Sequence, residues 1–316
     1  MKFGKTFIII VLSILLFIPS TSCKKNSKKN TISISGAFAL YPLTVKWAEE
    51  YQKLHPEITI DVSAGGAGKG MMDVLSDMVD LAMFSRTVSG EELSKGAWPI
   101  AVARDAVVAT INSSNPYLDI LLHRGITQAQ FIDLYVNKKI LKWNQFVPGA
   151  NAENINLFTR SDACGAAEMW AKFLGSNQES LAGIGVFGDP GIADAVKNDK
   201  LGIGYNNVVY AYDGLSRKPY KGMQVIPVDK NGNGQIDADE NFYSTLDEIM
   251  QAIADGKYPS PPARELYLIS HNKPVKTTVV DFLNWIMSDG QKMVHEAGYV
   301  QLKPELVSEQ LKKLSK

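Results

Sequence analysis

The sequence has few of the features that mark disulfide-stabilised, nucleic-acid-binding or membrane-embedded proteins. It contains two cysteines, Cys23 and Cys164, among 316 residues. Its 33 basic residues are balanced by 33 acidic residues, so its charge favours neither nucleic acid nor an anionic membrane surface as a partner. The four histidines are dispersed and belong to no metal-binding or catalytic motif. The apolar run from Phe7 to Pro19 is too short to span a bilayer as a helix.

Residues 1–22 instead have the pattern of a signal peptide. Lys2 and Lys5 precede the apolar run, and small residues separate it from Cys23. This placement of Cys23 resembles the processing site of bacterial lipoproteins, where the cysteine is lipidated; the alternative is a plain secretory signal with an incidental cysteine. Residues 23–30 then form a polar, lipidated tether. Removal of the two leader lysines leaves 31 basic against 33 acidic residues. We expect a membrane-anchored lipoprotein of the cell envelope, facing the periplasm or the exterior, without an internal disulfide.

After the tether, apolar runs typical of strands alternate with segments of helical periodicity. Predicted strands cover residues 31–35, 58–62, 80–84, 100–111, 155–158 and 265–270. Such alternation predicts an α/β protein with a mostly parallel sheet flanked by helices. The length is sufficient for two domains.

One stretch, residues 159–174, has the pattern of a strand end, a short loop and a new helix. Asp162 lies where an N-cap is expected, and apolar residues then recur at helical spacing. A helix N-terminus presents unpaired N–H groups and the positive end of the helix dipole, and Arg160 adds a fixed positive charge. The stretch therefore predicts an anion site. The alternative is an ordinary capped helix beside a surface arginine.

Several blocks in order resemble the phosphate-binding proteins of bacterial ABC importers, within the type II periplasmic binding protein superfamily. They are Gly36–Pro42, Gly65–Gly70, Asp80–Arg86, Arg160–Gly165, Gly202–Tyr205, Arg264–Tyr267, Asp289–Gln291 and Ala297–Val300. The resemblance implies two α/β lobes, each a mixed, mostly parallel sheet flanked by helices, with the ligand in the cleft between them. Lobe one would comprise residues 31–105 plus 265–316, and lobe two residues 106–264. The implied protein is a monomer that delivers a small anion, phosphate in particular, to ABC permease subunits and has no nucleic-acid partner.

The resemblance also implies the ligand-binding residues: Phe38, Ala39, Ala67, Ser85, Arg86, Arg160, Asp162, Cys164, Gly165 and Ala166. Several of these positions carry hydroxyl groups in the family but not here, and each missing donor to a charged ligand is worth about 1.5–3 kcal/mol. Two hypotheses remain open. An oxyanion is held by backbone N–H groups and by Arg86 and Arg160, which would otherwise lie unpaired near a cleft. Alternatively, the pocket takes a less polar ligand, with Phe38 filling part of it.

An enzyme is the less favoured class. Cys164, at a helix N-terminus beside Arg160, has a setting that can lower a thiol pKa. A nucleophile also needs a base within reach, and no histidine motif provides one. We therefore predict a binding protein without catalytic residues. A cell-envelope interaction or sensing module that binds no anion is the remaining alternative.

Residues 229–240 match the EF-hand calcium loop. Gly234 supplies the sharp turn at position 6, and Ile236 is the apolar residue at position 8. The predicted ligands are Asp229, Asn231, Asn233, Gln235 through its backbone carbonyl, Asp237 and Glu240. The alternative is a polar Asn/Gly turn. Because a second hand is missing from the sequence pattern, we predict one structural calcium ion in lobe two, not a calcium sensor.

Overall fold

A computed structural model describes residues 30–315. The predicted signal peptide, the lipidation site Cys23 and the tether up to residue 29 lie outside the described residues. Within the described part of the chain, no helix combines the length and the apolar character needed to cross a membrane.

Strands and helices alternate as the sequence pattern predicts. The strands are β1 (Thr31–Gly36), β2 (Thr59–Ala64), β3 (Leu81–Phe84), β4 (Ala97–Asn112), β5 (Ile126–Thr127), β6 (Asn156–Arg160), β7 (Ile184–Val186), β8 (Gly202–Asn207), β9 (Met223–Val225), β10 (Val228–Asp229) and β11 (Ala263–His271). The helices are α1 (Tyr41–Leu54), α2 (Ala67–Leu75), α3 (Gly90–Ser94), α4 (Leu118–Arg124), α5 (Gln128–Tyr135), α6 (Trp143–Phe146), α7 (Gly165–Phe173), α8 (Gly188–Asn198), α9 (Val208–Ala211), α10 (Leu246–Ala254), α11 (Thr277–Ile286) and α12 (Pro304–Ser315). Short 3-10 helices span Phe38–Leu40, Gln178–Ser180 and Asp289–Met293.

The main sheet is mixed, with strand order β2-β1-β3-β11-β4-β8-β6-β7 and β9 paired to β4. Pairing is parallel toward both edges, in β2-β1-β3 and in β8-β6-β7. It is antiparallel in the middle, where the long strand β4 pairs first with β11 and then with β8 and β9. Strand β4 therefore runs through both halves of the sheet and connects them.

The buried apolar side chains form two separate clusters. One draws on residues 32–103 and 266–314, and the other on residues 106–263 together with Val300. Along β4 the change from one cluster to the other falls between Ala103 and Ala106, and along β11 between Ala263 and Leu266. We interpret the two clusters as the cores of two lobes, and the lobe boundaries given from the sequence stay a prediction.

Two local features differ from the sequence prediction. Helix α2 begins at Ala67, so the last four residues of the glycine block Gly65–Gly70 are already helical, although the sequence indicates a loop there. Helix α7 is capped by Cys164, whose Sγ accepts a hydrogen bond from the backbone N–H of Ala167 at 3.4 Å. Asp162 is therefore not the N-cap, and its carboxylate is available for a different contact.

Candidate functional site: the interlobe cleft

The beginnings of several helices meet between the two lobes. The backbone N–H of Gly68, in the first turn of α2, donates to the carbonyl of Ala163, just before α7, at 3.2 Å. A Cβ atom on Gly165 would lie 2.2 Å from the carbonyl oxygen of Ser85, so only glycine fits there. A Cβ on Gly188, the first residue of α8, would lie 3.1 Å from the Phe38 ring. The predicted anion-site segments are thus brought together, in tight contact.

Arg160 lies at this meeting point and is almost fully buried, with a side-chain exposure of 1%. Its Nε donates to Asp162 Oδ1 at 2.8 Å and its Nη2 to Asp162 Oδ2 at 2.6 Å, which forms a two-point pair. Its Nη1 donates to Asp189 Oδ2 at 2.5 Å. Three of the five guanidinium N–H groups are therefore used in these hydrogen bonds, and two are not.

Asp189 was not identified from the sequence. Its side chain is fully buried, with an exposure of 0%. Its Oδ1 accepts the backbone N–H of Asn207 at 3.0 Å, and its carbonyl accepts the Asn206 side-chain amide at 3.0 Å. Asp162 Oδ1 also accepts the N–H of Gly188 at 3.1 Å. One arginine and two carboxylates leave this cluster with one negative charge in excess.

Phe38 places an apolar ring next to this cluster, and three other predicted site residues are alanines. Ala39, Ala67 and Ala166 are buried. The Phe38 ring centre lies 5.6 Å from the Arg160 guanidinium carbon and 5.8 Å from the Phe187 ring in an edge-on arrangement. The Phe38 carbonyl accepts the Tyr210 hydroxyl at 3.1 Å, which is a further contact between the lobes. Phenyl and methyl groups therefore replace side-chain donors on this side of the cleft.

Arg86 does not have the unpaired guanidinium that the sequence argument assumed. Its Nη1 and Nη2 donate to the two oxygens of Glu92 at 3.0 and 2.6 Å. Its Nε lies 2.8 Å from Glu168 Oε2. Arg160 is paired as well, so the premise that two free arginines require an anion is wrong. The reason is that Glu92, Glu168 and Asp189 approach only in the folded chain.

The idea that Cys164 has a lowered thiol pKa is also wrong. Burial raises the pKa of Cys164 to about 12, which outweighs the opposite effect of Arg160. The residue is 6% exposed, and its sulfur caps α7. Cys164 therefore has a structural setting, in agreement with a site that lacks an activated nucleophile.

In the loop at residues 229–240, backbone N–H groups donate to the carboxylates of the first and last residues. Asp229 Oδ1 accepts the N–H of Gly232 at 2.7 Å, and Oδ2 accepts that of Gly234 at 2.9 Å. Glu240 Oε1 accepts the N–H groups of Lys230 and Asn231 at 2.8 and 3.3 Å. Both carboxylates are buried, at 3% and 2% exposure. Neither belongs to an ion pair among the residues described.

The remaining predicted calcium ligands are arranged around Asp237. Its Oδ2 accepts the side-chain amides of Asn231 and Asn233 at 2.9 and 2.8 Å, and its Oδ1 accepts that of Gln235 at 3.1 Å. In this arrangement no three His, Cys, Asp or Glu side chains within residues 30–315 form a metal-ligand group. The two asparagine side chains would have to present their oxygens for a cation to be coordinated.

The segment that precedes α5 contacts this loop at its first residue and again at Ile236. Strand β10 pairs with β5, so that Asp229 lies opposite Thr127. The N–H of Ile236 donates to the carbonyl of His123 at 2.9 Å. The loop is therefore fixed to lobe two by backbone hydrogen bonds.

Comparison with known proteins is consistent with this architecture. A family model described as a PBP superfamily domain matches residues 23–290. The chain belongs to the PBP superfamily. Curated relatives include the phosphate-binding protein PstS of Methanocaldococcus jannaschii, which is 26% identical over 96% of this chain and 94% of the relative. The PstS of Xylella fastidiosa (strain Temecula1) is 25% identical over 92% and 87% of the two chains.

Solved structures of PBP superfamily proteins share the fold. A Clostridium perfringens protein crystallised with bound phosphate has a TM-score of 0.70 and 20% identity, covering 87% of this chain and 100% of that one. An ABC-type phosphate transport receptor from Vibrio cholerae has a TM-score of 0.62 and 20% identity, covering 86% and 100%. The predicted type II periplasmic binding protein fold is thus confirmed.

Proposed function

We propose that this chain is the substrate-binding protein of an ABC importer, and that it captures phosphate or a related oxyanion in the interlobe cleft. Its relatives named as phosphate-binding proteins match it over nearly their whole length. The observation that carries the proposal is the fixed guanidinium of Arg160, with two N–H groups left, beside the first turns of α2 and α7. Unpaired backbone N–H groups at helix starts bind an anion without side-chain hydroxyl groups.

The charge around Arg160 favours an oxyanion that carries its own proton. Asp162 and Asp189 give the cluster an excess negative charge, which repels a fully ionised dianion. A protonated oxyanion can instead donate a hydrogen bond to one of these carboxylates. Phosphate keeps a proton at neutral pH, whereas sulfate does not, so we expect phosphate to bind more tightly than sulfate.

A second candidate is a less polar solute in the same cleft. Phe38 and its ring partner Phe187 favour it, because they place aromatic surface where the family resemblance implies hydroxyl groups. In either case the protein would act as a receptor and not as an enzyme. It would be anchored in the cell envelope by lipid at Cys23, facing the periplasm or the exterior, and would deliver its solute to the permease subunits.

Isothermal titration calorimetry with phosphate, arsenate, sulfate and molybdate tests these alternatives. Binding of phosphate and arsenate, with weaker or no binding of sulfate, is expected. Heat with none of the four anions, together with no shift in melting temperature, would reject the oxyanion proposal and favour a different solute or an interaction module.

We also propose that the loop at residues 229–240 holds a structural calcium ion. Support comes from the two buried carboxylates, Asp229 and Glu240, which have no ion-pair partner among the described residues. Buried charges are normally paired or bound to a metal. Asp229, Asn231, Asn233, the Gln235 carbonyl, Asp237 and Glu240 would hold the ion, which would neutralise their charge and tie the loop together.

Calcium titration of the metal-free protein tests this second proposal. Single-loop extracellular calcium sites have dissociation constants of about 10⁻⁴–10⁻³ M. We expect binding in that range, measured by calorimetry, and weaker binding of magnesium. The absence of calcium binding at millimolar concentration would identify the loop as a polar turn.

A further inference from the structure

We propose that Arg86 is an interlobe latch: through Glu168 it stabilises the closed arrangement of the lobes and so raises ligand affinity without touching the ligand. This inference rests on the proposed function, since it concerns closure around a bound solute. It replaces the ligand-contact role that the family resemblance implied for Arg86.

Arg86 is first fixed within lobe one. It follows β3, and Glu92 of helix α3 holds both terminal nitrogens of its guanidinium, at 3.0 and 2.6 Å. Nη1 also donates to the Thr87 carbonyl at 3.1 Å. The guanidinium carbon lies 4.4 Å from the centre of the Phe84 ring, a favourable cation–π distance. Arg86 is therefore held in one orientation before any contact with lobe two.

The remaining nitrogen, Nε, faces the other lobe. It lies 2.8 Å from Oε2 of Glu168, which belongs to helix α7 in lobe two. The second oxygen of Glu168 is paired with Lys172 of the same helix at 2.7 Å. The Arg86 and Glu168 side chains are 18% and 29% exposed, so water and salt screen this pair less than a fully exposed one.

The pair joins the two parts of the cleft that must approach each other. Glu168 lies three residues after Gly165, on the helix whose start is next to Arg160. Arg86 follows Ser85, the residue against which Gly165 packs. An ion pair between separate lobes forms only when they are together, so it shifts the equilibrium toward the closed state. Because apparent affinity scales with the fraction of closed, binding-competent protein, the latch would strengthen binding.

A double-mutant cycle with Arg86→Gln, Glu168→Gln and the double variant tests the latch. Phosphate affinity is measured by calorimetry, and closure is followed by hydrogen exchange of the Gly68 amide, whose hydrogen bond to the Ala163 carbonyl crosses between the lobes. Each single variant is expected to bind phosphate about two- to ten-fold more weakly and to exchange Gly68 faster. The double variant should bind phosphate no more weakly than the single variant with the lower affinity.

Lys95→Gln is the matched control, because Lys95 pairs with Glu91 inside lobe one at 2.6 Å. It should leave both measurements unchanged. Unchanged affinity in the Arg86 and Glu168 variants, or additive effects in the double variant, would overturn the latch while the proposed function stands. A loss with Arg86→Gln that Glu168→Gln does not reproduce would also overturn it, by making Arg86 a ligand contact.

The two proposals can fail separately. If the wild-type protein binds no phosphate, but both single variants accelerate Gly68 exchange without additivity, the latch is supported and the phosphate proposal is rejected. If the wild-type protein binds no phosphate and the variants leave Gly68 exchange unchanged, both are rejected.

Discussion

The interlobe cleft and the loop at residues 229–240 both bury carboxylates, but they compensate the charge in different ways. In the cleft, Asp162 and Asp189 share the guanidinium of Arg160. In the loop, Asp229 and Glu240 are held by backbone N–H groups, with no ion pair among the described residues. In the cleft, one guanidinium therefore offsets one of the two carboxylate charges. The loop keeps an excess of negative charge that a divalent cation would neutralise.

The strongest test of this comparison is to remove the cation of the cleft. Arg160→Met leaves two buried carboxylates without a counter-ion, which typically costs about 3–5 kcal/mol of folding free energy. We expect a loss of this size in urea denaturation, together with loss of phosphate binding.

Arg217→Met provides the control, since Arg217 pairs with Asp247 where the side chains are 21% and 50% exposed. This substitution should lower the free energy of unfolding by less than about 1 kcal/mol. Equal costs for the two variants would mean that the Arg160 cluster is not a buried charge network, and the contrast with the loop would disappear.

These charge partners also mark the limit of what the sequence predicts. Arg160 and Asp162 were identified together because they are two residues apart in a block that carries the family resemblance. Asp189 is 29 residues from Arg160 in the chain and belongs to no motif, so only the packing of α8 against β8 reveals it. Arg86 was predicted as a ligand contact, but its pairing with Glu168 depends on how α7 approaches β3, which periodicity does not encode.

The fold was more predictable than the site. Apolar patterns identified β1, β3, β4 and β11: alternation marked β1, and continuous apolar runs marked β3 and β4, whose side chains are nearly all buried. Helix α12 was missed, since its mean hydropathy is low and it buries few residues. The cap of α7 was misassigned because the sulfur of Cys164 performs a role for which Asp162 has the usual chemistry.

A second test adds a donor to the apolar side of the cleft. Phe38→Ser restores a hydroxyl group at a position where the family resemblance implies one, and a hydrogen bond to a charged ligand is worth about 1.5–3 kcal/mol. Phosphate should then bind about ten- to a hundred-fold more tightly. Phe187→Ser removes the partner ring, which is 60% exposed, and should leave the affinity nearly unchanged. Weaker binding in Phe38→Ser would instead favour a ligand that contacts the phenyl ring.

A third test concerns a buried pair on the two strands that connect the lobes. Asp105 of β4 lies opposite Arg264 of β11, with Oδ1 and Nε 3.1 Å apart. Burial raises the pKa of Asp105 to about 7 although Arg264 acts in the opposite direction, and the nearby Asp189 adds to the increase. The pair has one cation for one carboxylate, whereas the cleft has one cation for two and the buried loop carboxylates have no ion-pair partner among the described residues.

The native state therefore binds a proton at Asp105 more tightly than the unfolded chain does. This contribution to stability is complete below the unfolded pKa of 3.8 and is lost as the pH rises through about 7. As the pH falls from 7 to 5, the free energy of unfolding of the wild-type protein should rise, relative to that of Asp105→Asn, by at most about 1.4 kcal/mol per pH unit. Urea denaturation at several pH values measures this gain, and parallel curves for the two proteins would contradict it.

The smallest expected effect comes from the loop, and its sign should depend on calcium. Glu240→Gln keeps an acceptor oxygen for the N–H groups of Lys230 and Asn231 but removes one buried charge. Without calcium the variant should be as stable as the wild-type protein or slightly more stable. With calcium at ten times its dissociation constant, the wild-type protein should gain about 1.4 kcal/mol that the variant lacks. Asp239→Asn, at an exposed position outside the predicted ligand set, should keep the full gain in thermal denaturation. If calcium stabilised Glu240→Gln and the wild-type protein equally, the unmatched charge of Glu240 would not be the feature that attracts the cation.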